Sequence, residues 1–264
     1  MIADPDLSAQ ARAFTPAPDE LKSRVIAITG AGSGLGRAVA LAAAAAGARL
    51  ILIGRNVGNL EAVYNDIVKD GRGSATIAPL DLERALARDY DQLAEAVSGA
   101  FGRLDGLLHS AALLGALSPI EHYDVPTWTR VMHVNVTAAF ALTQVLLPQL
   151  RQSTDASVIF TSSAVGRRGM AYWGAYAASK FALEGLSQTL ADEFGGSALR
   201  VNALNPGRAR TKLRRAAYPS ENLDALPEPA ALVNPYLWLL GPASRGVSGR
   251  SLDCQADYPL LAPG

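Results

Sequence analysis

Cysteine is almost absent from this sequence. Cys254 stands alone among 264 residues, so no disulfide forms within one chain, and the composition suits a reducing compartment. Histidine is scarce too: His109, His122 and His133 are scattered without the spacing of a ligand set, so no metal site is expected. An excess of either charge is missing, with 24 Lys plus Arg against 24 Asp plus Glu, which removes any general attraction to nucleic acid or an anionic membrane. The opening twenty residues lack the apolar centre of a signal peptide. Apolar runs such as Ala138 to Leu147 are too short to cross a bilayer. Together these absences predict a cytoplasmic protein without nucleic-acid or membrane partners.

What is present is apolar sequence, 49% of the chain, enough for a large core in one domain. Residues 1–21, with three prolines and no clear periodicity, read as a flexible N-terminal arm before a domain over 22–264. Short apolar runs at Val25–Thr29, Arg49–Ile53, Ala75–Leu80, Gly106–Ser110, Ser157–Ser162, Leu199–Leu204 and Arg250–Cys254 alternate with helix-favouring stretches. Those stretches lie near 37–46, 57–69, 90–101, 127–151, 174–194 and 228–240. Such alternation predicts an α/β fold with a seven-stranded parallel sheet and helices on both faces. Ligands of such sheets bind outside the carboxyl ends of the strands, which is where the motifs below fall.

The first strand runs into Thr29-Gly30-Ala31-Gly32-Ser33-Gly34-Leu35-Gly36 and then an Ala-rich segment. Strand, glycine turn and helix in this order form a dinucleotide-binding (Rossmann) arrangement. Glycines let backbone approach a pyrophosphate, and the helix N-terminus supplies free amides and partial positive charge. Gly30, Ser33, Gly34, Leu35 and Gly36 are the candidate phosphate cradle. After the second strand comes Gly54-Arg55: no carboxylate is there to bind a free ribose 2′-hydroxyl, while Arg55 suits a 2′-phosphate. NADP is therefore favoured over NAD.

Farther along, Tyr176 and Lys180 sit four residues apart, on one face of a helix spanning 174–194. A phenol titrates too high to exchange protons near neutrality, and a neighbouring ammonium favours the phenolate. The pair suits a general acid/base, with Ser163 placed to hold a substrate oxygen. Glycine loop, Asn135, Ser163, Tyr176 and Lys180 together resemble the short-chain dehydrogenase/reductase family in order and spacing, over about residues 20–255. Within it, the runs around Ser163 and Tyr176 look most like the YciK-like bacterial oxidoreductases, a subgroup without a firmly established substrate. The resemblance implies a tetrad in which Tyr176 is the acid/base, Lys180 also binds the nicotinamide ribose, Ser163 polarises the substrate oxygen and Asn135 anchors a water. It further implies that Asp81 and Leu82 meet the adenine, that Ala111 lines the adenosine, and that Pro206, Gly207 and Thr211 close over the nicotinamide. A homodimer or homotetramer joined through helices 127–151 and 174–194 is implied as well.

Where the family usually has Asn-Asn-Ala-Gly, this chain has His109-Ser110-Ala111-Ala112. Ala112 costs strain if its position needs positive φ, and weaker cofactor affinity is expected; His109 reads as strand packing. The segment 207–227 reads as a substrate lid. Its Arg208, Arg210, Lys212, Arg214 and Arg215, with Arg167 and Arg168 nearby, suit an anionic substrate or a merely solvated face. Met170, Tyr172, Trp173 and Tyr218 offer an apolar wall. The leading expectation is an oxidoreductase acting on a small carbonyl or alcohol; the alternative is a nucleotide-binding regulatory protein without turnover.

Overall fold

The computed structural model describes residues 4–256. Seven parallel strands form one sheet: β1 (Val25–Thr29), β2 (Arg49–Gly54), β3 (Ser74–Pro79), β4 (Gly106–His109), β5 (Ala156–Thr161), β6 (Leu199–Asn205) and β7 (Ser251–Asp253). Their spatial order is β3-β2-β1-β4-β5-β6-β7, so the winding reverses between β1 and β4 and leaves a crevice there. Every residue of β1, β4, β5 and β6 is buried, which explains why these strands read as continuous apolar runs rather than alternating ones.

Alternate strand residues feed two separate cores. Ile26 and Ile28 of β1 pack with α2 (Gly34–Ala45), α3 (Val57–Asp70) and α9 (Asn234–Leu240). Val25 and Ala27 point the other way, toward α4 (Ala87–Phe101), α6 (Ala138–Leu150) and α7 (Gly174–Glu193). The sheet is thus covered on both faces.

The helix expected near 127–151 starts earlier, as α5 (Val125–Met132), because the Asp124 carboxylate accepts the Thr127 amide at 2.7 Å. It passes through one π turn, His133–Thr137, into α6. The whole stretch Val125–Leu150 is long and apolar enough to cross a membrane by length, yet Leu142, Leu146 and Leu150 lie fully buried in the core with Val158 and Phe160 of β5. The segment near 228–240 divides into a 3₁₀ turn (Pro229–Leu232) and α9, in keeping with prolines at the start of each.

The N-terminal arm departs from expectation. Pro5–Ala13 is a helix, α1, begun by the Asp4 carboxylate accepting the Leu7 amide at 3.1 Å. Ser8 and Ala11 are buried against the body. Ser8 Oγ accepts the Asp253 amide at 3.0 Å, and Arg12 Nη1 donates to the Asp253 carbonyl at 3.2 Å. Tertiary contacts to β7, not helical periodicity, hold this segment in place.

Candidate active site at the switch-point crevice

The glycine loop is built for contact closer than a side chain allows. Gly30 has φ of 68°, and a Cβ on it would lie 3.0 Å from the Ala111 backbone. A Cβ on Gly36 would come within 2.5 Å of the Gly30 carbonyl oxygen. Ser33 precedes α2 without spending its hydroxyl on a cap, and Leu35 is buried behind the loop. Across the crevice, Thr29 Oγ1 accepts the amides of Ser110 and Ala111 at 3.0 and 3.1 Å, fixing the end of β4 against the loop. Ala112 is not among the positive-φ residues, so its methyl brings no left-handed strain. This backbone cradle beside a helix N-terminus fits a dinucleotide diphosphate.

Just beyond β2, the Arg55 side chain is 59% exposed and its guanidinium reaches Glu83 at 3.4 Å. Glu83 also holds Arg130 at 2.7 Å, so Arg55 is the looser of two cations on one carboxylate. Asp81 Oδ1 accepts the Glu83 amide at 3.2 Å, which makes it the cap of the turn after β3 in this structure. Leu82 packs against the core on the α4 side.

Asn135 sits in the π turn between α5 and α6, 2% exposed. Its Oδ1 accepts the Leu113 amide at 2.7 Å; its Nδ2 donates to the Leu113 carbonyl at 2.9 Å and to Ser179 Oγ at 3.0 Å. It thereby pins the chain leaving β4 to α7. Ser163 follows β5 in extended backbone and its carbonyl caps the 3₁₀ turn Ala164–Gly166. Tyr176 and Lys180 lie one turn apart on α7, 7% and 2% exposed. The Lys180 ammonium donates to the Thr161 carbonyl at 2.7 Å and stands 5.4 Å from the Tyr176 ring centroid. Burial pulls its pKa down to about 8, while the Glu184 carboxylate one turn on pushes it back up.

The Pro206-Gly207 turn leaves β6 with Gly207 at φ 73°, and its amide donates to Asn205 Oδ1 at 3.0 Å. Gln255 Nε2 donates to the carbonyls of Pro206 and Arg208 at 2.8 and 2.7 Å. Thr211 caps the short helix α8 (Lys212–Ala217) by accepting the Arg214 amide at 3.1 Å. Its methyl lies 3.6 Å from where a Gly34 Cβ would be, so the segment after the Pro206-Gly207 turn begins against the glycine loop. Val165, Trp173, Tyr176, Ala177 and Ala217 form an apolar cluster joined by Met170, Leu213 and Tyr218. The Trp173 ring lies 5.7 Å from Tyr176 and 5.8 Å from Tyr218. Tyr172 is not part of this wall: it is 59% exposed at φ 73°.

Several cations of the segment 207–227 are already committed. Arg214 makes a two-bond pair with Glu221 at 2.5 and 2.6 Å and stacks on Tyr218. Arg210 pairs with Asp224 at 3.3 Å and Glu228 at 2.9 Å. Arg167, expected to add to an anion-attracting field, instead has a side chain only 4% exposed, held by Asp253 and Glu184. Lys212 and Arg215 remain exposed. The roles of Arg167 and of Thr29 were not visible in residue patterns: the partners of Arg167 lie 17 to 86 residues away, although Glu184 stands at the i+4 position from Lys180.

A glycine cradle at the carboxyl end of β1 and a buried tyrosine–lysine pair at the carboxyl end of β5 fit an NAD(P)-linked oxidoreductase. The family model for short chain dehydrogenase matches residues 24–222. The chain is 45% identical to the oxidoreductase YciK of Escherichia coli K12 over 95% of its own length and 98% of that protein. A short chain dehydrogenase from Pseudomonas syringae superimposes with a TM-score of 0.90 at 49% identity, covering 92% of this chain and 98% of the other. One from Escherichia coli CFT073, solved as a complex with NADPH, gives 0.87 at 47% identity over 91% of this chain and 100% of the other. The chain belongs to the short-chain dehydrogenase/reductase family, and within it resembles the YciK-like oxidoreductases.

Proposed function

We propose that this chain is an NADP-dependent oxidoreductase that interconverts a carbonyl and a secondary alcohol. The observation that carries the reading is the buried Lys180 ammonium beside the Tyr176 ring, with a pKa of about 8. The nicotinamide, when bound, supplies or accepts the hydride. Tyr176 gives its proton to the carbonyl oxygen in reduction, and the Lys180 charge stabilises the anion that Tyr176 becomes. Ser163 holds and polarises the substrate oxygen; Asn135 keeps the strand-end backbone and α7 in register and anchors a water behind Lys180. Gly30, Ser33, Gly34, Leu35 and Gly36 would hold the diphosphate, and Ala111, Asp81 and Leu82 the adenosine. Pro206, Gly207 and Thr211 would hold the nicotinamide side.

Arg55 is the residue for the 2′-phosphate. NADP and NADPH complexes of relatives 45% and 47% identical support this choice. With Arg210, Arg214 and Arg167 each on a carboxylate, the aromatic wall is a stronger guide to substrate than charge, and an anionic substrate would rest on Lys212 and Arg215. The exposed Phe140 of α6 and Phe181 of α7 support a homodimer or homotetramer, and the reading places the protein in the cytoplasm.

The test is titration of NADPH and NADH, each into wild-type protein and Arg55→Ala, followed by nicotinamide fluorescence. Arg55→Ala is expected to weaken NADPH by about tenfold or more and leave NADH unchanged. No binding of either cofactor would remove the enzymatic reading.

A further inference from the structure

Behind the site lies a buried ionic chain that the proposed reaction does not use. Gly166 lets the 3₁₀ turn after Ser163 press on α7: a Cβ there would lie 2.9 Å from both Lys180 Cβ and Ser162 Oγ. That packing delivers Arg167 into the interior between α7 and β7. All three of its nitrogens are used. Nη1 donates to both Asp253 oxygens at 2.8 and 3.0 Å, Nη2 to the Leu252 carbonyl at 2.9 Å, and Nε to Ser251 Oγ at 2.9 Å with Glu184 Oε1 at 3.4 Å. Glu184 Oε1 also accepts from Ser162 Oγ at 2.5 Å and Ser251 Oγ at 3.0 Å. Asp253 Oδ1 in turn accepts from Asn205 Nδ2 at 2.7 Å, and Asn205 Oδ1 accepts the Gly207 amide at 3.0 Å.

One guanidinium therefore links α7, one turn beyond Lys180, to the amide of the Pro206-Gly207 turn. Only a planar fork with five N–H groups meets two carboxylates, a hydroxyl and a carbonyl at once; an ammonium does not. We propose that Arg167 is a positioning residue: through Asp253 and Asn205 it holds the Pro206-Gly207 turn at a fixed distance from the Tyr176–Lys180 face of α7. The proposal rests on the NADP reading, in which that turn receives the nicotinamide half of the cofactor. Misplacing a reacting group by about 1 Å is enough to cost orders of magnitude in rate, so such a brace has a function beyond stability.

The two halves of the cofactor separate this role from a merely structural one. The adenosine half meets Arg55 and the glycine loop, which Arg167 does not touch. NADPH and adenosine 2′,5′-bisphosphate would be titrated into wild-type protein, Arg167→Met, Arg167→Lys and Asp253→Asn, with Tm recorded for each. Expected is a loss of about tenfold in NADPH affinity for Arg167→Met and Asp253→Asn, with the bisphosphate within about twofold of wild type and Arg167→Lys between. Asp253→Asn keeps side-chain shape and backbone contacts, so it carries the same expectation should Arg167→Met fail to fold. Equal losses for both ligands, or no loss for NADPH, would overturn the positioning role alone. Wild-type protein that binds neither ligand would overturn the cofactor reading and this proposal with it.

Discussion

The imidazole of His109 stacks on Phe160 with ring centroids 4.9 Å apart and planes 8° from parallel, and its Nε2 lies 2.8 Å from Thr143 Oγ1. Thr143 gives its own proton to the Ala139 carbonyl at 2.8 Å, so its oxygen accepts, and the neutral imidazole carries its hydrogen on Nε2. Burial, reinforced by the Lys180 charge, lowers the pKa of His109 to about 3.

An acid-stability prediction follows from that pairing. Below the ordinary histidine value of about 6.5, the unfolded chain takes up a proton that folded His109 refuses. Stability contributed by the neutral ring is therefore full above pH 6.5 and lost as pH falls toward 3. At pH 4.5 the loss is about 2–3 kcal/mol. His109→Phe keeps an aromatic ring on Phe160 and leaves the Thr143 bond to Ala139 intact. Its Tm should drop less than the wild-type Tm between pH 7 and pH 4.5; parallel drops would show that His109 is not the group responsible.

In the proposed reaction, Lys180 sets stability against function. Its folded pKa of about 8 lies below the ordinary lysine value of about 10.5, so burying the charged form costs roughly 3 kcal/mol at pH values below 8. That cost is relieved as pH rises from 8 toward 10.5. Lys180→Met removes it while giving up the hydrogen bond to Thr161, worth about 1 kcal/mol. The net is a gain on the order of 2 kcal/mol at pH 7, with the difference from wild type shrinking above pH 8. Carbonyl reduction should fall by about 10²–10⁴-fold. Chemical denaturation at pH 7 and pH 9.5 decides the stability claim; a variant less stable at pH 7 refutes it.

The fold was legible because buried parallel strands write themselves as short apolar runs between helices, and the glycine loop needs backbone contacts that forbid any other residue at Gly30 and Gly36. Tyr176 and Lys180 were legible because one helix carries both. Arg167 was not. It stands beside a second arginine, Arg168, and nothing local distinguishes an arginine buried on Asp253 from one in solvent. Helix α1 was missed for a related reason: its buried residues are only Ser8 and Ala11, too small to produce an apolar stripe, although Asp4 followed by Pro5 is a helix-start signal. The Ala112 strain was foreseen only on the condition of positive φ, which the backbone does not adopt.

Far from the site, at the amino ends of the strands, Asp155 is 6% exposed and shared by three arginines. Arg24 reaches it at 3.1 Å, Arg200 at 3.0 Å and Arg245 at 3.5 Å. The Arg24 and Arg200 side chains are 13% and 5% exposed, whereas Arg245 is 69% exposed. Breaking a buried pair from one side leaves the other charge desolvated, at a cost of about 3–5 kcal/mol, while an exposed partner contributes at most about 1 kcal/mol. Asp155→Asn should therefore lose several kcal/mol in urea unfolding and Arg245→Ala almost nothing. Because the cluster joins the starts of β1, β5 and β6, at the opposite end of the sheet from the glycine loop, NADPH affinity below the melting range should not change in either variant. Near-neutrality of Asp155→Asn would mean that backbone carbonyls such as those of Leu239 and Gly241, which also accept from Arg200 at 3.1 Å each, hold the cluster without the carboxylate; a large loss from Arg245→Ala would mean that the exposed pair, not the buried ones, carries the stability.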